Sequence, residues 1–249
     1  MMESIRVDLS DRVRFLLRVG DTALILAQRN AEWCGHAPVL EEDLALPNLA
    51  LDQLGQARAL LTHAGSLTGH DEDQLAYLRD EAQFLNPVLV ELPHAPDNRK
   101  PGDFGFTVLR NALLAQWFLQ LYGRLESSDD AELAAIAAKA VKETRYHWQH
   151  SADWVLRLGD GTAESHRRLQ AALERIWPYV PELFAGTEFE ALQAPWRAAI
   201  EALLQAATLK LPKDGQHIHQ GHKGVHSEHL GHLLAEMQVL QRAYPGGVW

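Results

Sequence analysis

Glu143 and His147 stand one helical turn apart in the run AAIAAKAVKETRYHWQHSADW at residues 134–154, with Lys139 a turn before them and His150 a turn beyond. At ~3.6 residues per turn, these groups line one stripe of a helix rather than circling it. A carboxylate and an imidazole in one stripe are part of what a di-metal carboxylate bundle uses, although there the two lie three residues apart. Here the spacing is four, and a lysine shares the stripe. A complete centre needs a Glu from each of two helices and Glu-x-x-His from each of two more. The other segments offer Gln28 and Glu32, then Asp52 with Gly55 where a histidine would be needed, then Asn111, Gln116 and Gln120. The ligand set falls short. The expectation is a polar core of Lys139, Glu143, His147, Asp52, Gln28 and Glu32, with a buried ammonium satisfying carboxylates where a metal would sit. No catalytic residue and no metal ligand is assigned to the chain.

The other chemistry-bearing groups point less far. His217, His219, His222, His226, His229 and His232 are six of the thirteen histidines. They contain no H-E-x-x-H pattern, so the reading is a His-rich loop feeding an interface helix rather than a zinc site. Cys34 is the one cysteine; with no partner base in the sequence it reads as a small buried group. P-loop, G-x-G-x-x-G and G-x-S-x-G patterns are absent, which removes the usual nucleotide and serine-hydrolase signals.

The elements that must position these groups are helices. Apolar residues Leu16, Val19, Ala23 and Leu26 recur at three and four and predict a helix over 9–33, with Asp21, Ile25, Gln28 and Glu32 as a polar edge. Gly35 and Pro38 break the chain. A second helix is expected over 41–64, with Leu44, Leu51, Leu54 and Leu61 facing the core and Asn48, Asp52 and Gln56 stacked beside them. Pro47 falls in its first turns, and Gly55 would admit a close neighbour. Residues 65–105 are irregular, with a short helical stretch and a proline-fenced run. Helices follow over 107–125 and, from an Asp130 N-cap, through the 134–154 run. Further helices are expected to about 177, over 190–209 and over 225–242. The pairs before and after the irregular middle would make a four-helix bundle joined by a long crossover. With no repeat and no composition shift, residues 1–249 read as a single all-α domain.

Composition bounds the partners. The chain has 249 residues, with 23 Lys plus Arg against 33 Asp plus Glu, a formal charge of −10. An acidic surface disfavours nucleic acid. No apolar run approaches the ~20 residues that span a bilayer, so no membrane partner is expected. A single cysteine and a start without a signal-peptide pattern suit the cytoplasm.

Four blocks carry a family resemblance: 19–46, ending in EWCGHAPVLEEDLAL; 51–58 (LDQLGQAR); 139–147 (KAVKETRYH); and 224–242, from GVHSEHLG to LAEMQVLQR. With the closing PGGVW they resemble the C-subunit family of bacterial phenylacetyl-CoA epoxidases over nearly the whole chain. The resemblance implies a ferritin-like four-helix bundle with additional helices, inside a multicomponent monooxygenase of phenylacetate catabolism. It implies a related A subunit that carries the di-iron centre and epoxidises the aromatic ring. It also implies a reductase with FAD and an iron–sulfur centre, fed by NADPH. In that family the C subunit is a non-catalytic, structural partner with no cofactor of its own. Trp117, Trp148, Trp154, Trp177 and Trp196 are large groups suited to the contact with the A subunit. Arg79, Gln83, Phe84 and Asn86, in the irregular middle, are candidates for touching the CoA tail. Two other classes stay open: an active di-metal oxygenase in its own right, and a stand-alone helical scaffold or storage protein.

Overall fold

The computed structural model describes residues 3–95, 102–215 and 219–247. Among the described residues the secondary structure is helical, with isolated bridges (Ile5 to Arg79, Gln220 to Val225) and no strand. The chain divides into two compact units.

The first unit is built from α1 (Asp11–Ala31), α2 (Leu40–Thr68), the short α3 (Glu72–Tyr77) and α9 (Glu228–Ala243), the last numbered in chain order. Ser10 starts α1 by accepting from the Val13 amide at 3.3 Å, which satisfies one of the orphan N–H groups at a helix start. From Leu16 to Ala27 every residue of α1 is buried, so Asp21 lies inside rather than on a polar edge. Gly20 lets α2 approach: a Cβ there would meet the Leu61 side chain at 3.3 Å. Asn30 Nδ2 donates to Gln53 Oε1 across the two helices at 3.0 Å. Helix α2 continues through Pro47 and ends at Gly69, whose φ of 76° is the left-handed cap that glycine adopts without strain.

The face of α2 differs from the expectation. Leu46, Leu49, Ala50, Ala57, Leu60 and Leu61 are buried with Gln53 and Gln56, while Leu44, Leu51 and Leu54 are 61%, 65% and 40% exposed. Both sides of this helix carry leucine at three-and-four spacing. Period alone therefore does not select the inner one.

The second unit holds α4 (Phe104–Leu125), α5 (Ala131–Gly159), α6 (Ala163–Ile176), α7 (Thr187–Glu190) and α8 (Gln193–Ala206). Its centre is the α4/α5 pair, with α6 and α8 packed on it. Trp117 and Trp196 are buried, and their indole N–H groups donate to the Leu183 and Leu113 carbonyls at 3.0 and 2.8 Å. Trp177 is buried beside Trp196, and its N–H donates to Asp214 at 3.1 Å. Three of the five tryptophans expected at a partner contact are therefore core groups, each with its polar N–H satisfied inside the chain. As expected, Asp130 caps α5, accepting from the Glu132 and Leu133 amides at 3.1 and 3.2 Å. Asp130→Ala should cost about 1 kcal/mol in urea unfolding; a change within error would show that the cap is redundant.

Candidate functional site

The residues expected to form a polar core are placed as follows. On α5, Lys139 reaches Glu143 at 3.7 Å, but its side chain is 78% exposed, so it is a surface cation and not a buried one. Long methylene stems favour that outcome, because burying an ammonium is costly and the stem lets it reach water. Glu143 is partly buried and His147 is buried. Burial, and after it the charge of Glu143, pushes the buried Tyr122 phenol above its ordinary 10. In the first unit, Glu32 is exposed and pairs with Arg29 at 2.6 Å. Gln28 and Asp52 are partly exposed, and Gln28 lines an open apolar groove of about 280 Å³ between α1 and α2. Cys34 lies at the same groove and is exposed, not buried as its residue type suggested.

The buried polar chemistry of the first unit lies elsewhere. Asp21 and Arg79 form an ion pair whose side chains are wholly buried. Arg79 Nη1 donates to Asp21 at 3.0 Å, and Nη2 donates to its other oxygen. The Leu85 amide gives Asp21 a further hydrogen bond at 2.9 Å. The guanidinium also donates to the Leu75 and Gln83 carbonyls and lies 4.3 Å from the centre of the Phe84 ring. Arginine's planar fork suits such a site, since four of its five N–H groups find acceptors in fixed directions.

Glu91 anchors a second buried cluster. Its carboxylate accepts from Asn86 Nδ2 at 2.9 Å and from the Ser227 amide and hydroxyl at 2.8 and 2.7 Å. It also meets His226 Nδ1 at 2.6 Å, with both side chains wholly buried. The other ring nitrogen, Nε2, lies 2.8 Å from the Phe84 carbonyl. Both nitrogens face acceptors, so both hydrogen bonds form only if the ring carries two protons. Burial opposes that charge, but the Glu91 hydrogen bond and charge, the Phe84 carbonyl and Asp21 outweigh it, and the His226 pKa is raised above 6.5. Ser227 is also the N-cap of α9, so Glu91 holds the start of that helix. Arg29 Nε donates to the Glu91 carbonyl at 3.1 Å, tying α1 to the same point.

Arg79, Phe84 and Asn86 thus belong to these two clusters and are buried. Gln83, partly exposed, is the one of the four named CoA-contact candidates with surface to offer. Of the six clustered histidines, His226 is the one paired with Glu91, and His217 lies outside the described residues. Asp21, Glu91 and His226 do not stand out from sequence as a set. A signal does exist in two of them, a carboxylate inside an apolar helix and another inside the apolar run VLVEL.

A di-iron centre does not fit the donors described. Among the described residues no three His, Cys, Asp or Glu side chains converge as a metal site. The fully buried Asp21 and Glu91 are already neutralised by Arg79 and His226. What this arrangement does chemically is cross-link distant segments through charge.

Known proteins share this sequence along its length. Residues 2–249 match the family described as Phenylacetic acid catabolic protein. The chain is 45% identical to the C subunit of the 1,2-phenylacetyl-CoA epoxidase of Escherichia coli (strain K12), over 94% of its own length and 98% of that protein.

Proposed function

Because the chain belongs to the Phenylacetic acid catabolic protein family, which is ferritin-like, we propose that it is the structural C subunit of a multi-subunit phenylacetyl-CoA epoxidase. The observation that carries this is identity of 45% running along nearly the whole of both chains. In this reading the chain supports a related A subunit that holds the di-iron centre and epoxidises the ring, with an FAD and iron–sulfur reductase as a further partner. Residues 1–249 act as one ferritin-like domain, and the complex works in the cytoplasm. Among the described residues, no helix is long and apolar enough to cross a membrane, which agrees with that setting.

The non-catalytic role draws support from how the core charges are used. Asp21 and Glu91, sealed inside the first unit, have guanidinium and imidazole partners, and a metal ligand must give up such partners to bind. Purified alone, the chain should bring no stoichiometric iron and show no oxygenase activity. Purified from its native cells, it should bring down a second helical subunit, and the iron should follow that subunit when the two are separated. Tight iron in the isolated chain would favour an active oxygenase, and the lack of any co-purifying partner would favour a stand-alone scaffold.

A further inference from the structure

Helix α2 carries a second leucine face that no described residue of its own unit covers. Leu40, Leu44, Leu51 and Leu54 are exposed, with Pro47 partly so, at spacings of four, three, four and three. Six of the twelve large hydrophobic side chains exposed among the described residues lie between Val39 and Leu67. Such a concentration on one helix is a patch, not scatter. The four leucines expose a strip on the order of a few hundred Å², within the range at which the largest patch on a monomer is often functional. A standard interface buries about 800 Å² per partner, so this stripe is the right size for its centre.

Two further features say what kind of object covers it. Beside the stripe runs the groove of about 280 Å³ lined by Ala27, Gln28, Ala31 and Cys34 on one side and Leu51 and Leu54 on the other. A side chain entering from outside would fill it as a knob fills a hole. Gly55 sits on the same face, exposed, and a Cβ there would meet nothing within 4 Å. Glycine in a helix interior is destabilising, and no described neighbour requires one here. A backbone approaching from outside would. The alternation of three and four is the seam that another helix meets.

The rim fixes the chemistry of that helix. Glu41, Asp43 and Asp52 flank the stripe, and Arg58 at its end pairs with Glu72 at 3.0 Å. A second copy would set the same acidic rims, and a second charge of −10, against the first. We infer that α2 is the docking surface for an amphipathic helix of a different subunit, with leucine-like residues at three-and-four spacing and Lys or Arg along its flanks. This inference rests on the multi-subunit reading above and names the face it uses.

The test compares the wild-type chain with Leu44→Glu/Leu51→Glu, each tagged and purified from native cells, with the captured subunit identified by mass. The double variant should lose at least tenfold in captured subunit while its melting curve is unchanged, since both side chains face water. Val239→Glu, another exposed apolar position on α9, should capture as the wild type does. Glu41→Lys/Asp52→Lys should capture several-fold less at low salt; unchanged capture overturns the basic-flanked occupant. If wild type and the leucine variant capture the subunit equally, or Val239→Glu loses it too, the docking face is wrong and the proposed function stands. If the wild type captures no subunit, the proposed function fails and this inference with it. Light scattering on the isolated chain separates the other occupant: a dimer dissolved by the leucine substitutions assigns the face to a second copy. Should the double variant melt early, Leu51→Gln alone carries the same comparison.

Discussion

Asp21→Ala should lower the free energy of unfolding by about 3–5 kcal/mol, the cost of stranding one member of a buried ion pair. Arg79 cannot escape by losing its proton, because guanidinium stays charged in any folded protein. It would keep the Leu75 and Gln83 carbonyls and the Phe84 ring, but no anion. The Leu85 amide would lose its acceptor as well. Arg79→Met on its own should cost less, since a lone buried carboxyl can take up a proton. The double variant should cost less than the sum of the two, because each single change strands the partner that the other removes. Urea unfolding of all four proteins closes the cycle. A loss below about 1 kcal/mol for Asp21→Ala, the range of an exposed pair, would mean that water reaches this site in solution.

Glu91→Ala should have an effect of the same size, about 3–5 kcal/mol, for a related reason. It removes the acceptor of Asn86, of the Ser227 amide and hydroxyl, and of the His226 ring together. The start of α9 should loosen first, since its N-cap residue hangs on that carboxylate, and amide exchange at residues 228–231 should rise before the rest of the unit. The pH dependence carries the sign of His226. Its folded-state pKa is raised above 6.5. The contribution is therefore complete below that value and fades as pH climbs through the raised pKa. The stability gap between wild type and His226→Asn should narrow as pH climbs past about 6.5 and through the raised pKa. A gap that stays flat or widens over that window sinks the assignment of an imidazolium against Glu91.

These two clusters also show why site residues are only partly legible in the sequence. Arg79, Phe84 and Asn86 stand out in an irregular stretch because such backbone leaves polar groups without repeating partners. The ion pairs that seal these clusters join distant residues: Asp21 is 58 residues from Arg79, and His226 is 135 from Glu91. Local spacing cannot supply pairs at that distance. Lys139 illustrates the opposite error. Its i, i+4 relation to Glu143 is visible in the sequence and real in the structure, but whether that stripe faces core or water is not a property of the spacing.

The sequence alone determined the helical class, the start of α5 at Asp130 and the resemblance that the family match later showed. Those are decided by composition, caps and side-chain type, all of which act over a turn or two. Tertiary structure decided which leucine face of α2 turned inward and which carboxylates met which cations. Both choices depend on what the rest of the chain brings alongside. A helix with two apolar faces and a carboxylate with several reachable cations have no preference until that neighbour arrives.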